Sequence, residues 1–123
     1  MTAMPRSTEL RRLRKRSQFL NAARGLRAGR SGFTLQSVPV STESPGVGLT
    51  VTKKTGNSPE RNRIKRRLRA ALRACAAELH PRHDYVVVGR RDALTLPFSK
   101  VVSDLSSAIA KVHARRDTGD RRQ

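Results

Sequence analysis

Arg61-Asn62-Arg63-Ile64-Lys65-Arg66-Arg67-Leu68-Arg69-Ala70-Ala71-Leu72-Arg73 is the stretch on which the fold turns. Ile64, Leu68, Ala71, Leu72, Cys75 and Leu79 follow an i, i+4, i+7, i+8 pattern, which predicts a helix with one core-facing stripe. At roughly 100° per residue, Asn62, Arg63, Arg66, Arg67, Arg69 and Arg73 fall on the opposite face. Arg61 and Lys65 sit at the edge of the stripe, where their stems can lie on apolar surface while their heads reach out. Such a helix is unfavourable on its own. Arg61 with Lys65, Lys65 with Arg69, Arg69 with Arg73, and Arg63 with Arg67 are like-charge i, i+4 pairs, each destabilising by roughly 0.2 to 0.5 kcal/mol. Arg61 and Arg63 also lie near the positive end of the helix dipole, where stability alone would select acids. Uncompensated charge of this kind points to a phosphate-binding face.

The rest of the chain agrees. Its 123 residues carry 27 Lys and Arg against 9 Asp and Glu, a formal charge of +18, the electrostatic footprint of a nucleic-acid binder. No apolar run approaches the roughly 20 residues of a membrane span. Met1 to Arg16 lacks the apolar region of a secretory signal, so a cytoplasmic location is expected. Either Met1 or Met4 could begin the natural chain. The length and a hydrophobic content of 36% predict one domain with a modest core. The single cysteine, Cys75, lies in the helix stripe and reads as a small core residue.

Outward from the central helix, Ser58 is the expected cap and Pro59 fits the first turn, where no amide hydrogen is needed. Pro81 limits the helix to about Leu79 or His80. Upstream, Val47, Leu49 and Val51 alternate with Gly48, Thr50 and Thr52 as a strand, expected to form a hairpin with a strand from Phe33 to Val40 across the Pro45-Gly46 turn. Lys53 to Asn57 is a loop. Ser17 is the expected cap of a short helix through Phe19 and Ala23 that stops at Gly25, and Arg27 to Gly32 reads as a basic loop. Downstream, Tyr85-Val86-Val87-Val88 is a continuously apolar strand, placed most simply in a sheet interior. A last helix starts at Pro97 or Ser99, with Val101 or Val102, Leu105, Ala108, Ile109 and Val112 as its stripe. Residues 1–12 are expected to form a flexible basic arm, 13–114 the domain, and 115–123 a disordered basic tail. The expected architecture is a small α+β sandwich of order α-β-β-(β)-α-β-α, the bracketed strand falling at the break between Leu35 and Val40.

Catalytic chemistry is poorly supported by the residues. Metal-assisted phosphodiester cleavage needs clustered carboxylates, whereas Glu43, Glu60, Glu78, Asp84, Asp92 and Asp104 share no motif. His80 and His83 flank Pro81 in an exposed turn, and His113 sits near a helix C-terminus that welcomes a cation. These histidines read as structural or surface residues. Zinc ligand spacing is absent. The expected sites are therefore catalytic none and metal none.

The ordered set Thr52-Lys53-Lys54, Gly56-Asn57 and Arg61-Asn62-Arg63-Ile64-Lys65-Arg66-Arg67-Leu68-Arg69 resembles the signature of the protein subunit of bacterial ribonuclease P. Leu13-Arg14-Lys15 with Phe19 and Gly25 is similar to that family's first helix, and Asp84 to Val88 to its late strand. The likeness runs from about Leu13 to Val112. It implies a ribosomal-protein-like fold with a left-handed βαβ crossover, against the usual right-handed preference. It also implies an RNA-binding subunit that assists a catalytic RNA in removing the 5′ leader from precursor tRNA. Magnesium would be bound mainly by that RNA, with no obligate protein partner and no membrane.

By the same resemblance, Arg61, Asn62, Arg63, Lys65, Arg66, Arg67, Arg69, Arg73, Lys53 and Lys54 face the RNA, and Phe19, Phe33, Arg12, Arg14 and Lys15 bind the leader, although Phe33 by its own pattern reads as core rather than platform. Arginine forks suit phosphate oxygens, and a single strand needs cations plus stacking platforms. This chain departs from the pattern in three places. Ala23 and Gln36 stand where the family often has aromatics, which predicts weaker stacking. Ser58-Pro59-Glu60 replaces the apolar residues usual before the Arg-Asn-Arg segment. The residues alone also fit a structural protein that uses the same basic face on ribosomal RNA.

Overall fold

Four consecutive apolar residues, Tyr85 to Val88, demand cover on both faces, and the fold supplies it by placing their strand at the centre of the sheet. The computed structural model describes the backbone of residues 10–122 and the side chains of residues 10–114. Its elements are β1 Arg11–Arg12, α1 Arg16–Ala23, β2 Leu26–Gly29, β3 Phe33–Pro39, β4 Gly46–Thr50, α2 Ser58–Ala74, β5 His83–Gly89 and α3 Phe98–Arg122. The sheet order is β1-β4-β5-β3-β2. β5 pairs in parallel with β4 and antiparallel with β3.

The register sorts side chains by face. Leu35 and Leu49 lie opposite Val87, and Val47 opposite Tyr85. These residues pack with Ile64, Leu68, Leu72, Val101, Leu105 and Ile109 from α2 and α3 into the main core. On the other face Val86, Val38 and Val88 meet Leu13, Phe19 and Ala22 from the N-terminal segment and α1. Both predicted helix stripes are the buried ones, and β4-α2-β5 forms the parallel βαβ unit.

Several sequence expectations are corrected. β3 and β4 do not form a hairpin, because β5 lies between them; a hairpin would leave one face-to-face apolar strand at an edge. The extra strand is β2, which overlaps the expected basic loop and does not lie at the Leu35 to Val40 break. It pairs Leu26 to Gly29 with Ser37 to Thr34, burying Ala28 while Arg27 and Gly29 stay outside. Charge on an edge strand discourages unwanted pairing.

The expected arm is also partly ordered. Arg11 and Arg12 pair in parallel with Gly46 and Val47, and the Arg11 guanidinium reaches the buried Asp84 carboxylate at 2.7 Å. Residues 1–9 of that arm lie outside the described residues. At the other end, α3 continues past Ala114 through Arg122, where composition predicts disorder; helix propagation needs only local i→i−4 bonds once the buried turns exist.

The caps shift as well. Gln18 Oε1 accepts from the Lys15 and Arg14 amides at 2.9 Å each, so α1 starts one residue before Ser17. Asn57, not Ser58, caps α2, its Oδ1 accepting from the Glu60 amide at 3.0 Å. α2 closes at Ala74, and a 3₁₀ turn, Ala76–Glu78, carries the chain on to the buried Leu79.

Candidate nucleic-acid interface

α2 presents Asn62, Arg63, Arg66, Arg69 and Arg73 to solvent, with Arg61 and Lys65 half-buried at the edges. The helix is held from below by Ile64, Leu68, Ala71 and Leu72, all buried, so the cationic row is fixed to a rigid core. Arg67 departs from the expectation. It sits on the flank against the segment leading into α3, is half-buried, and donates from Nη2 to the Leu96 carbonyl. It therefore braces the helix from the side, and the free row is Arg63, Arg66, Arg69 and Arg73.

Lys53 and Lys54 are exposed in a 3₁₀ turn, Lys53–Thr55, immediately before α2. Two contacts tie that turn to the helix. Glu60 Oε1 accepts from the Asn57 amide at 2.9 Å, completing a capping box. Arg91 grips both Glu60 oxygens at 3.0 and 2.9 Å and also donates to the Thr55 carbonyl at 3.1 Å. The Arg91 guanidinium first, and then the Asn57 amide, hold the Glu60 carboxyl at about 2, below the usual carboxylate range. This is how the helix start accommodates Glu60 beside a row of arginines.

A second basic surface lies where the N-terminal segment meets α2. A cleft of about 320 Å³ has Leu10, Leu13, Phe19, Val47, Leu49 and Leu72 as apolar lining and Arg11, Arg12, Lys65 and Arg69 as its cations. Phe19 rests against β4 at Gly48, where an added Cβ would come within 2.7 Å of the ring. Gly48 is needed for that close approach, a role that a small residue in an otherwise alternating strand signals in sequence. Arg14 and Lys15 are exposed just before α1.

Phe33 does not belong to this surface. It is 1% exposed and packs in the main core on the opposite face of the sheet, because it shares the parity of Leu35 in β3. Gln36 instead occupies the α1 side, paired with Val86. A second open cleft, about 590 Å³, follows the outer side of the helix start, lined by Ser58, Pro59, Glu60, Asn62, Arg63, Arg66 and Leu94.

The histidines gather around Tyr85. The rings of His80 and His113 stack with centroids 3.5 Å apart and 4° between planes, and His83 meets His113 edge-on at 4.8 Å. Tyr85 Oη lies 2.6 Å from His113 Nε2 and accepts from the His80 amide at 2.8 Å. The cluster links the turn after α2, β5 and α3, a clasp that sequence spacing does not reveal. Cys75 is buried in the stripe, and burial pushes its thiol up to about 11, which suppresses thiolate chemistry.

Residues 8–113 match the family model described as Ribonuclease P. The ribonuclease P protein component of Brucella melitensis biotype 1 is 41% identical over 97% of this chain and 92% of its own length. That of Erythrobacter litoralis is 40% identical over 90% and 91%. Among solved structures, the RNase P protein of Staphylococcus aureus aligns with a TM-score of 0.67 at 25% identity, covering 82% of this chain and 95% of that one. The RNase P protein of Thermotoga maritima gives 0.67 at 25%, covering 76% and 90%. With the ordered motifs, the cationic α2 row and the shared fold, these matches place the chain in the ribonuclease P protein family, the protein subunit of an RNA-based tRNA-processing enzyme.

Proposed function

We propose that this subunit binds the catalytic RNA through α2 and the 5′ leader of precursor tRNA through the cleft beside Phe19. The observation that carries the reading is the exposed row Asn62, Arg63, Arg66, Arg69 and Arg73 on a helix whose single acid, Glu60, is already paired with Arg91. Such a face can neutralise several phosphates at once, and releasing their counterions drives binding. Lys53 and Lys54 extend it. In the cleft, Phe19 supplies one stacking surface, with Arg12, Arg14, Lys15, Lys65 and Arg69 for the backbone of a single strand. Ala23 and Gln36 leave Phe19 without aromatic neighbours there, so leader affinity rests more on charge than on stacking.

Bond cleavage belongs to the RNA in this reading, with magnesium held mainly by RNA oxygens. The protein lowers the magnesium requirement by reducing repulsion between substrate and catalytic RNA. Among the described residues no helix is long and apolar enough to cross a membrane, and the proposed site of action is the cytoplasm.

The test is precursor tRNA cleavage at near-physiological magnesium, with the cognate RNA present or absent. The protein alone should cleave nothing, and together with the RNA it should raise cleavage and tighten substrate binding. Replacing Arg63, Arg66 and Arg69 with Gln should flatten the salt dependence of RNA binding by about 0.7 to 0.9 in log–log slope per lost phosphate contact. An unchanged slope refutes α2 as the RNA face, and failure to stimulate the cognate RNA favours ribosomal RNA as the target.

A further inference from the structure

Glu60 is an anomaly on the α2 surface. A carboxylate at the first turn suits the helix dipole and completes the capping box, yet it stands three residues before Arg63 on a face otherwise built for phosphate. Left free, it would repel the backbone that the neighbouring arginines attract. Arg91, 31 residues away, meets it with a two-pronged contact, Nη1 to Oε1 at 3.0 Å and Nη2 to Oε2 at 2.9 Å, the geometry in which a guanidinium neutralises a carboxylate most completely. The same Nη1 also reaches the Thr55 carbonyl.

Gly56 leaves the Glu60 and Arg91 heads the space they occupy in this knot. A Cβ there would lie 2.5 Å from Glu60 Oε1 and 2.9 Å from Arg91 Nη1. Gly56-Asn57, Glu60 and Arg91 thus join three segments: the Lys53–Thr55 turn, the start of α2, and the turn at Arg91–Leu94.

We propose that Arg91 is a positioning residue for RNA binding: it holds the Glu60 carboxylate in a two-pronged contact that masks it from RNA phosphates. The proposal rests on α2 being the RNA face. Masking makes a signature distinct from direct contact, because removing the acid repairs the loss of the arginine.

The experiment is a double-mutant cycle of Arg91→Ala and Glu60→Gln, read as affinity for the cognate ribonuclease P RNA across a salt series. Glu60→Gln keeps an acceptor for the Asn57 amide and so keeps the capping box. Arg91→Ala is expected to weaken binding roughly three- to tenfold, the scale of a like-charge contact at an exposed rim. Glu60→Gln should stay within about twofold of wild type, and Arg91→Ala with Glu60→Gln should recover most of the loss. A double variant as weak as Arg91→Ala overturns masking and makes Arg91 a phosphate contact or a purely structural tie.

A melting curve for each variant separates binding from folding. Should Arg91→Ala not fold, Arg91→Gln carries the same cycle, since it removes the charge and keeps a polar stem; a double variant no better than Arg91→Gln overturns masking. Wild-type protein that binds the RNA without salt dependence refutes the underlying interface instead, whatever the cycle reports.

Discussion

Arg11→Met isolates what the shortest strand contributes. Asp84 is buried, with a side chain 5% exposed, and its Oδ1 accepts from Arg11 Nη2 at 2.7 Å; Arg11 itself is 24% exposed. Methionine keeps much of the aliphatic stem but removes the only cation paired with Asp84 among the described ion pairs. Breaking a buried pair from one side typically costs about 3 to 5 kcal/mol, because the remaining charge keeps its desolvation penalty. The partial exposure of Arg11 argues for the low end, about 3 kcal/mol, which includes the lost bond from Nε to the Ser44 carbonyl at 2.8 Å. For a chain of this size that corresponds to a melting point lower by on the order of 10 °C. Thermal and urea denaturation of the free protein measure it, with an unchanged urea slope if the unfolded state is unaffected. Adding Asp84→Asn should recover part of the loss, since a neutral amide is cheaper to bury unpaired. A loss below about 1 kcal/mol, or a double variant no better than Arg11→Met, would mean that water solvates Asp84 and that β1 is held by its backbone bonds alone.

Two further outcomes follow from the site. Gly48→Val should unseat Phe19 from β4, weakening leader-dependent substrate binding while leaving catalytic-RNA binding within about twofold; equal loss of both would refute a separate leader cleft. Glu60 titrates at about 2 in the fold against an ordinary 4.5, so the folded state favours its carboxylate and the stabilisation is present above pH 4.5. It should be lost as pH falls from 4.5 through about 2. The stability difference between wild type and Glu60→Gln, followed by urea midpoints over that window, should shrink as acid is added, and a difference independent of pH contradicts the clamp.

The parts legible in sequence are those in which one segment carries its own pattern. α2 declares itself by Ile64, Leu68, Ala71 and Leu72, and β5 by an apolar run that only a central strand can bury on both faces. β1 cannot be read, since two arginines become a strand only by pairing with β4 and with Asp84, 73 residues away. β2 is hidden because Arg27 and Gly29 mask the inward Leu26 and Ala28. Adjacency in the chain favours a β3–β4 hairpin, but the double-faced burial of β5 outweighs it. The same division runs through the site. Exposure of Asn62, Arg63, Arg66 and Arg69 follows from helical period alone. The sidedness of Phe33 depends on register with β5, the use of Arg67 on what packs beside α2, and the Arg91 clamp on a contact across 31 residues.

These placements also say where the charge strain of α2 remains. Arg63 and Arg67 form one of the four like-charge i, i+4 pairs, and the Leu96 carbonyl draws the Arg67 head away from it. Three pairs, Arg61–Lys65, Lys65–Arg69 and Arg69–Arg73, keep their repulsion, together about 1 kcal/mol at 0.2 to 0.5 each. That is a sizeable share of a marginal stability. None of these residues meets an acid in the described ion pairs, so folding leaves the repulsion in place and a bound polyanion removes it. Relief of the strain then adds to the affinity of the interface and stabilises the fold by mass action. Lys65 and Arg69 also line the Phe19 cleft, so phosphates there and phosphates along α2 screen the same pairs. On the proposed assignment of the two surfaces, occupancy of either would lower the repulsion felt at the other and so would couple leader and catalytic RNA through shared cations without any change of backbone.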